Sequence, residues 1–165
     1  MKLFWRLIFL AAAVALGVWL WTIFFPAPEK VIRHRLEKLA ADVSFTGDQG
    51  NFSRLAGGEG VAGFFSTNVE INLNVPGHEQ VAFASRAEIT QAALLARERL
   101  KALSVKFPDV NVTLSPDKKS AVADVTVDAA VSGERDAIVQ ELTITFQKME
   151  DGWLITRLET VRTLQ

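Results

Sequence analysis

Residues 7–25 form an unbroken run of 19 uncharged residues, Leu7-Ile-Phe-Leu-Ala-Ala-Ala-Val-Ala-Leu-Gly-Val-Trp-Leu-Trp-Thr-Ile-Phe-Phe25, in which nothing is more polar than Gly17 and Thr22. As a helix rising about 1.5 Å per residue, the run would reach roughly 28 Å, close to the hydrocarbon thickness of a bilayer. Trp5 stands at one edge, with Trp19, Trp21, Phe24 and Phe25 toward the other, the distribution of a membrane-interface aromatic belt. A cleaved secretory signal would have an apolar region of about 7–15 residues and end in a small-x-small site. This run ends instead in Phe24-Phe25 and Pro26-Ala27-Pro28. A helix apolar on every side is also too greasy for the core of so small a body. The sequence therefore predicts a basic tail at 1–6, an uncleaved transmembrane helix at 7–25 in contact with the bilayer, a proline elbow at 26–28 and one domain over 29–165. Lys2 and Arg6 favour a cytoplasmic amino end and an exported, periplasmic or extracytoplasmic, domain. Lys30, Arg33, Arg35 and Lys38 pull the other way, partly offset by Glu29 and Glu37.

Beyond the run the charge balance becomes informative. With Lys2 and Arg6 set aside, 16 basic residues stand against 19 acidic ones, a formal charge of −3. A mildly acidic body with no basic stripe argues against nucleic acid as a partner. The chain has no cysteine, which excludes disulfides, thiolate chemistry and cysteine-ligated metals.

The body changes period partway along. Ile32, Leu36, Leu39 and Val43 form one stripe of a helix starting at Glu29, whose other face carries Lys30, Arg33, Arg35 and Lys38. Gly47 to Gly63 contains six glycines and reads as a loop with one short helix near Asn51–Ala56. Gly57-Gly58-Glu59-Gly60 lacks the lysine and hydroxyl of a phosphate loop. Val69, Ile71, Leu73 and Val75 then alternate with polar residues, a strand with one buried face. Ser85-Arg-Ala-Glu88 opens a capped helix. Its apolar positions are Ile89, Ala92, Ala93, Ala96, Leu100 and Leu103, with Arg97, Glu98 and Lys101 facing out. Three or four long strands follow: Val110–Leu114, Ala121–Ala129, Leu142–Phe146 and Trp153–Val161, the last two joined by the hairpin signal Asp151-Gly152. Helices followed by a meander of strands predict an α+β fold, with two or three helices on one face of a curved antiparallel sheet.

This order, closed by Phe146-Gln-Lys-Met-Glu-Asp-Gly-Trp-Leu-Ile155, resembles the nuclear transport factor 2-like (SnoaL-like, cystatin-like) superfamily over residues 29–163. The resemblance implies a sheet wrapped around a long helix, an apolar cone between them, and pairing of two chains through the open sheet face. It also implies what isomerases of the superfamily need: a general-base carboxylate near the end of the first strand, and tyrosine donors. Here that stretch is Asn72-Leu-Asn-Val-Pro-Gly77, and the chain has no tyrosine. The superfamily's dehydratases pair a histidine with an acid, and the only histidines are His34 and His78. The departures count against catalysis.

The remaining candidates are sparse. His78-Glu79 reads as an exposed turn, and His34 with Glu37 as a surface pair on one helix face. No metal-ligand spacing, cofactor motif or catalytic residue is read. Glu70, Asn72, Asp124, Thr126, Asp128, Glu141, Thr143 and Thr145 are expected on the sheet face away from the helices, as a candidate interface. Phe64, Phe65, Phe83, Phe107, Phe146 and Trp153 are candidates for lining a pocket. The expected function is a single-pass, membrane-anchored, non-catalytic binding or assembly module, as a homodimer or with another membrane protein. The competing reading is a tethered enzyme or carrier holding a small apolar ligand in the cone.

Overall fold

The computed structural model describes residues 14, 16–17, 27–47, 50–74, 80–133 and 137–161. The expected transmembrane helix lies largely outside the described residues. Within that run Val14 and Leu16 are helical and strongly exposed. Among the described residues no helix is long and apolar enough to cross a membrane. Val75 and the His78-Glu79 pair also lie outside the described residues.

Helix α1, Pro28–Val43, starts with Pro28 in its first turn, where a missing N–H costs nothing. Ile32, Leu36 and Leu39 are buried on its inner face, the stripe expected from their spacing. Strand β1 is the two-residue Phe45–Thr46. Helix α2 runs Asn51–Ala62, twice the length expected. It crosses the glycines that suggest a loop, because two of them serve packing. A Cβ on Gly57 would lie 2.7 Å from Arg97 Nε, and one on Gly58 3.1 Å from the Leu94 side chain. Missing side chains thus let α2 close onto helix α3, Arg86–Arg99.

Helix α3 begins as its capping box indicates. Ser85 Oγ accepts from Glu88 N–H at 3.3 Å, and Glu88 Oε2 accepts from Ala84 N–H at 2.7 Å. The helix ends sooner than its apolar spacing suggests. Leu100 is the C-cap, and Leu103 already belongs to a strand. Arg97, expected outside, is buried: it donates to the Asp42 carbonyl and lies over the Phe45 ring, 5.1 Å from its centroid.

The strands are β2 Phe65–Leu73, β3 Val81–Phe83, β4 Ala102–Leu114, β5 Ser120–Val131, β6 Ile138–Met149 and β7 Gly152–Thr160. They form one sheet of order β1-β4-β5-β6-β7-β2-β3. The sheet is not wholly antiparallel, since β2 pairs with β7 in parallel. The cause is connectivity: β2 is followed by β3, the single helix α3 and the meander, and the last strand returns beside it in the same direction. Register shifts at Lys106/Asp109, Phe65/Glu70 and Thr145/Phe146 bend the sheet. The core fills the space between α1 and the sheet's inner face, with Ile32, Leu36, Val69, Ile144, Phe146 and Ile155 almost fully enclosed. Each contributes about 1.5–3 kcal/mol through burial. One sheet face is thereby occupied. Among the described residues the other is left open.

Candidate functional site

Strand alternation places the open-face residues, and register arranges them in rows. One row crosses five strands as Asn111, Asp124, Thr143, Glu159 and Asn72. Beside it stand Asp109, Thr126 and Glu141, and on the other flank Thr113, Val122, Thr145, Arg157 and Glu70. Asp128 pairs with Lys106 and Val139 at the near end. All eight residues read from the sequence as a polar face thus occupy neighbouring rows.

The rows are acidic. Among the described residues, Glu70, Asp109, Asp124, Asp128, Glu141 and Glu159 share the face with two cations, Lys106 and Arg157. Arg157 is held by Glu70 at 3.5 Å and Glu159 at 3.6 Å, exposed pairs worth about 0–1 kcal/mol each. Thr143 Oγ1 donates to Asp124 Oδ1 at 3.0 Å. Two shallow clefts indent the face. One of about 500 Å³ lies among Asn72, Asn74, Gln80, Glu159 and Thr160. The other, of about 300 Å³, lies among Asp109, Asn111, Asp124, Thr126 and Glu141. Thr143 and Val161 line both. Among the described residues no group of three or more histidines and acids could hold a metal ion. Exposed Val122 and Val139 add apolar contact points.

Sequence reading missed Asp109, Asn111, Arg157 and Glu159. Alternation with Val110 and Val112 was enough to find Asn111. Glu159 and Arg157 were hidden because Trp153, Leu154 and Ile155 are all buried, which erases the two-residue period before the register shift.

The six aromatic residues do not meet in one cavity. Phe65 and Phe146 are packed in the core, and Phe83 lies partly buried on β3. Phe107 lines a groove of about 600 Å³ between α1 and β4, with Arg33, Glu37, Ser44 and Asp109 around it. Arg33 donates to the Val110 carbonyl there, and Ser44 Oγ accepts from Val105 N–H at 2.9 Å. Phe64 and Trp153 border a different cleft on the far flank of α1. His34 Nδ1 approaches Glu37 Oε2 at 3.4 Å, both side chains exposed, an ordinary surface pair. No enclosed histidine–acid pair faces a cavity among the described residues.

No protein-family model matches the chain, and no curated protein matches it. Solved structures do match. A domain of unknown function with a cystatin-like fold from Nostoc punctiforme PCC 73102 is 19% identical with a TM-score of 0.60, over 85% of this chain and 80% of that one. A protein provisionally named a dehydratase of the NTF2-like family, from Streptomyces avermitilis, is 14% identical with a TM-score of 0.56, over 84% and 97%. A chain of the yeast complex of the deubiquitinase Ubp3 with its cofactor Bre5 is 11% identical with a TM-score of 0.59, over 84% and 100%. At these identities the likeness establishes the fold: an α+β domain of the cystatin-like, NTF2-like kind.

Proposed function

From an NTF2-like fold with an open, acidic sheet face, we propose that this chain is a single-pass, membrane-anchored, non-catalytic module that binds a partner protein through that face. The uncharged run at 7–25 supports the anchor, and Lys2 and Arg6 support an exported domain. The observation that carries the binding role is the row Asn111, Asp124, Thr143, Glu159 and Asn72, continuous across five strands and, among the described residues, uncovered by any helix. Six acids against two bases favour a partner presenting a basic surface. Two copies paired through the same face would set like charges together. The Bre5 complex is an instance of this fold in a protein assembly.

A tethered enzyme or carrier is the second reading, favoured only by the groove between α1 and β4. Native mass spectrometry of the full-length protein, extracted in mild detergent, separates the two. Under the binding reading the amino terminus is intact and a bound protein is released by Thr143→Lys, which places a cation where the partner's cations dock. Retention of the same protein by Thr143→Lys would refute this use of the face. A monomer carrying a few hundred daltons of ligand would favour the groove, and a mass lacking the first 25 or so residues would remove the anchor.

A further inference from the structure

On the flank of α1 turned away from the β4 groove lies a cleft of about 480 Å³. His34, Arg35 and Lys38 approach it from successive turns of α1, Phe64 and Trp153 form apolar walls, and Asp42 stands at its end. Arg35 is half-buried, with its guanidinium carbon 5.2 Å from the centre of the Phe64 ring. Its Nε is enclosed, and no acceptor among the described residues reaches it. Among the described residues no carboxylate forms an ion pair with the group either. Arg86 and Arg97 both donate to backbone carbonyls, of Phe65 and Asp42, whereas Arg35 makes no such bond among the described residues, although Arg97 Nε, like Arg35 Nε, lacks an acceptor there. A guanidinium carries five N–H donors, and burying them without acceptors is costly. Burial also lowers the Arg35 pKa from its usual value, a penalty that a bound anion would offset.

Access is built in. Gly152, at φ +102, contributes no side chain to the wall, and a Cβ there would stand 4.0 Å from Arg35 Nη1. Gly60 and Gly63 also line the cleft without side chains. Asp42 is the opposing charge, but its attraction is shared with Arg97.

We propose that this cleft binds a phosphate group, with Arg35 as its bidentate donor, Lys38 adding charge and His34 offering a ring N–H. A carboxylate would spend both oxygens on the guanidinium fork. A phosphate keeps further oxygens for Lys38 and the His34 N–H. The group can come from a phospholipid headgroup or from a soluble phosphate ester. Arg35 lies about 10 Å along α1 from Pro28, where the helix leaves the apolar run, so a headgroup is within reach. The site is separate from the sheet face and goes beyond the partner-binding reading.

The test titrates the full-length protein in detergent with inorganic phosphate, and separately with a short-chain phosphatidylglycerol. Arg35→Gln should weaken binding by about tenfold or more, the worth of a charged hydrogen bond. Arg35→Lys, which keeps charge and stem, should weaken it less, while Lys30→Gln, which removes an exposed α1 cation, should leave it unchanged. Arg35-dependent binding of inorganic phosphate identifies a soluble ligand, and such binding of the lipid alone identifies a headgroup. The assignment is overturned if neither probe saturates by about 10 mM, or if Arg35→Gln binds as tightly as the parent while melting normally.

Discussion

Gly57→Ala tests why a glycine-rich stretch is helical. Alanine is worth about 1 kcal/mol more than glycine inside a helix, so propensity alone predicts stabilisation. The structure predicts the opposite sign. The new methyl would stand 2.7 Å from Arg97 Nε and 2.9 Å from its guanidinium carbon, and this guanidinium is pinned by the Asp42 carbonyl and the Phe45 ring. Expelling it gives up a charged hydrogen bond of about 1.5–3 kcal/mol and a cation–π contact of about 0.5–2 kcal/mol. After the propensity gain, the net loss is about 1–4 kcal/mol. At about 2.1 cal/mol/K of unfolding entropy per residue, a domain of this size should lose roughly 4–14 °C in Tm. Thermal unfolding of the full-length protein in mild detergent, followed by far-ultraviolet circular dichroism, reads the shift. Gly60→Ala is the internal comparison. Its Cβ would meet nothing nearer than Asp42 Oδ2 at 3.7 Å, so it should stabilise by about 0.5–1 kcal/mol. In an Arg97→Ala background, Gly57→Ala should change sign and become stabilising. If Gly57→Ala raises Tm in the parent, or has the same effect in both backgrounds, the packing account of these glycines is wrong.

Two further outcomes follow from local hydrogen bonds. Ser85→Ala removes the acceptor at the start of α3 and should cost about 0.5–2 kcal/mol, measured as a shift in urea midpoint at unchanged slope. Asp117 is held below the usual carboxylate range, first by the Ser115 hydroxyl and then by the Lys119 N–H. A depressed folded pKa means that its stabilisation is present above the unfolded value and is lost as pH falls through the folded one. Ser115→Ala should therefore move the Asp117 titration, followed by carboxyl NMR, up toward the ordinary value, and a titration that stays in place would exclude the hydroxyl as the cause.

The sequence by itself determined whatever depends on local period. The stripe Ile32, Leu36 and Leu39, the capping box at Ser85 and Glu88, the hairpin at Asp151-Gly152 and the alternation along β5 and β6 are all short-range patterns. Each predicts its own element, and through alternation the polar side of each strand. The eight polar residues of the sheet face were legible for that reason, and the uncharged run at 7–25 was legible from length alone. The tertiary structure decided what depends on contact between distant segments. Strand register ordered Asp124, Thr143, Glu159 and Asn72 into one row, and chain return made the β2–β7 pair parallel. The close approach of α3 turned Gly57 and Gly58 from loop signals into packing positions. The same approach drew Arg97 inward against Asp42 and Phe45, although helical spacing alone places it outside. Arg35 is the sharpest case. On the helix it is one of several basic residues, and only the meeting of α1 with Phe64 and Gly152 half-buries it and encloses its Nε. Periodicity reports which side of an element a residue occupies, whereas desolvation and hydrogen-bond satisfaction depend on what the rest of the chain brings to that side.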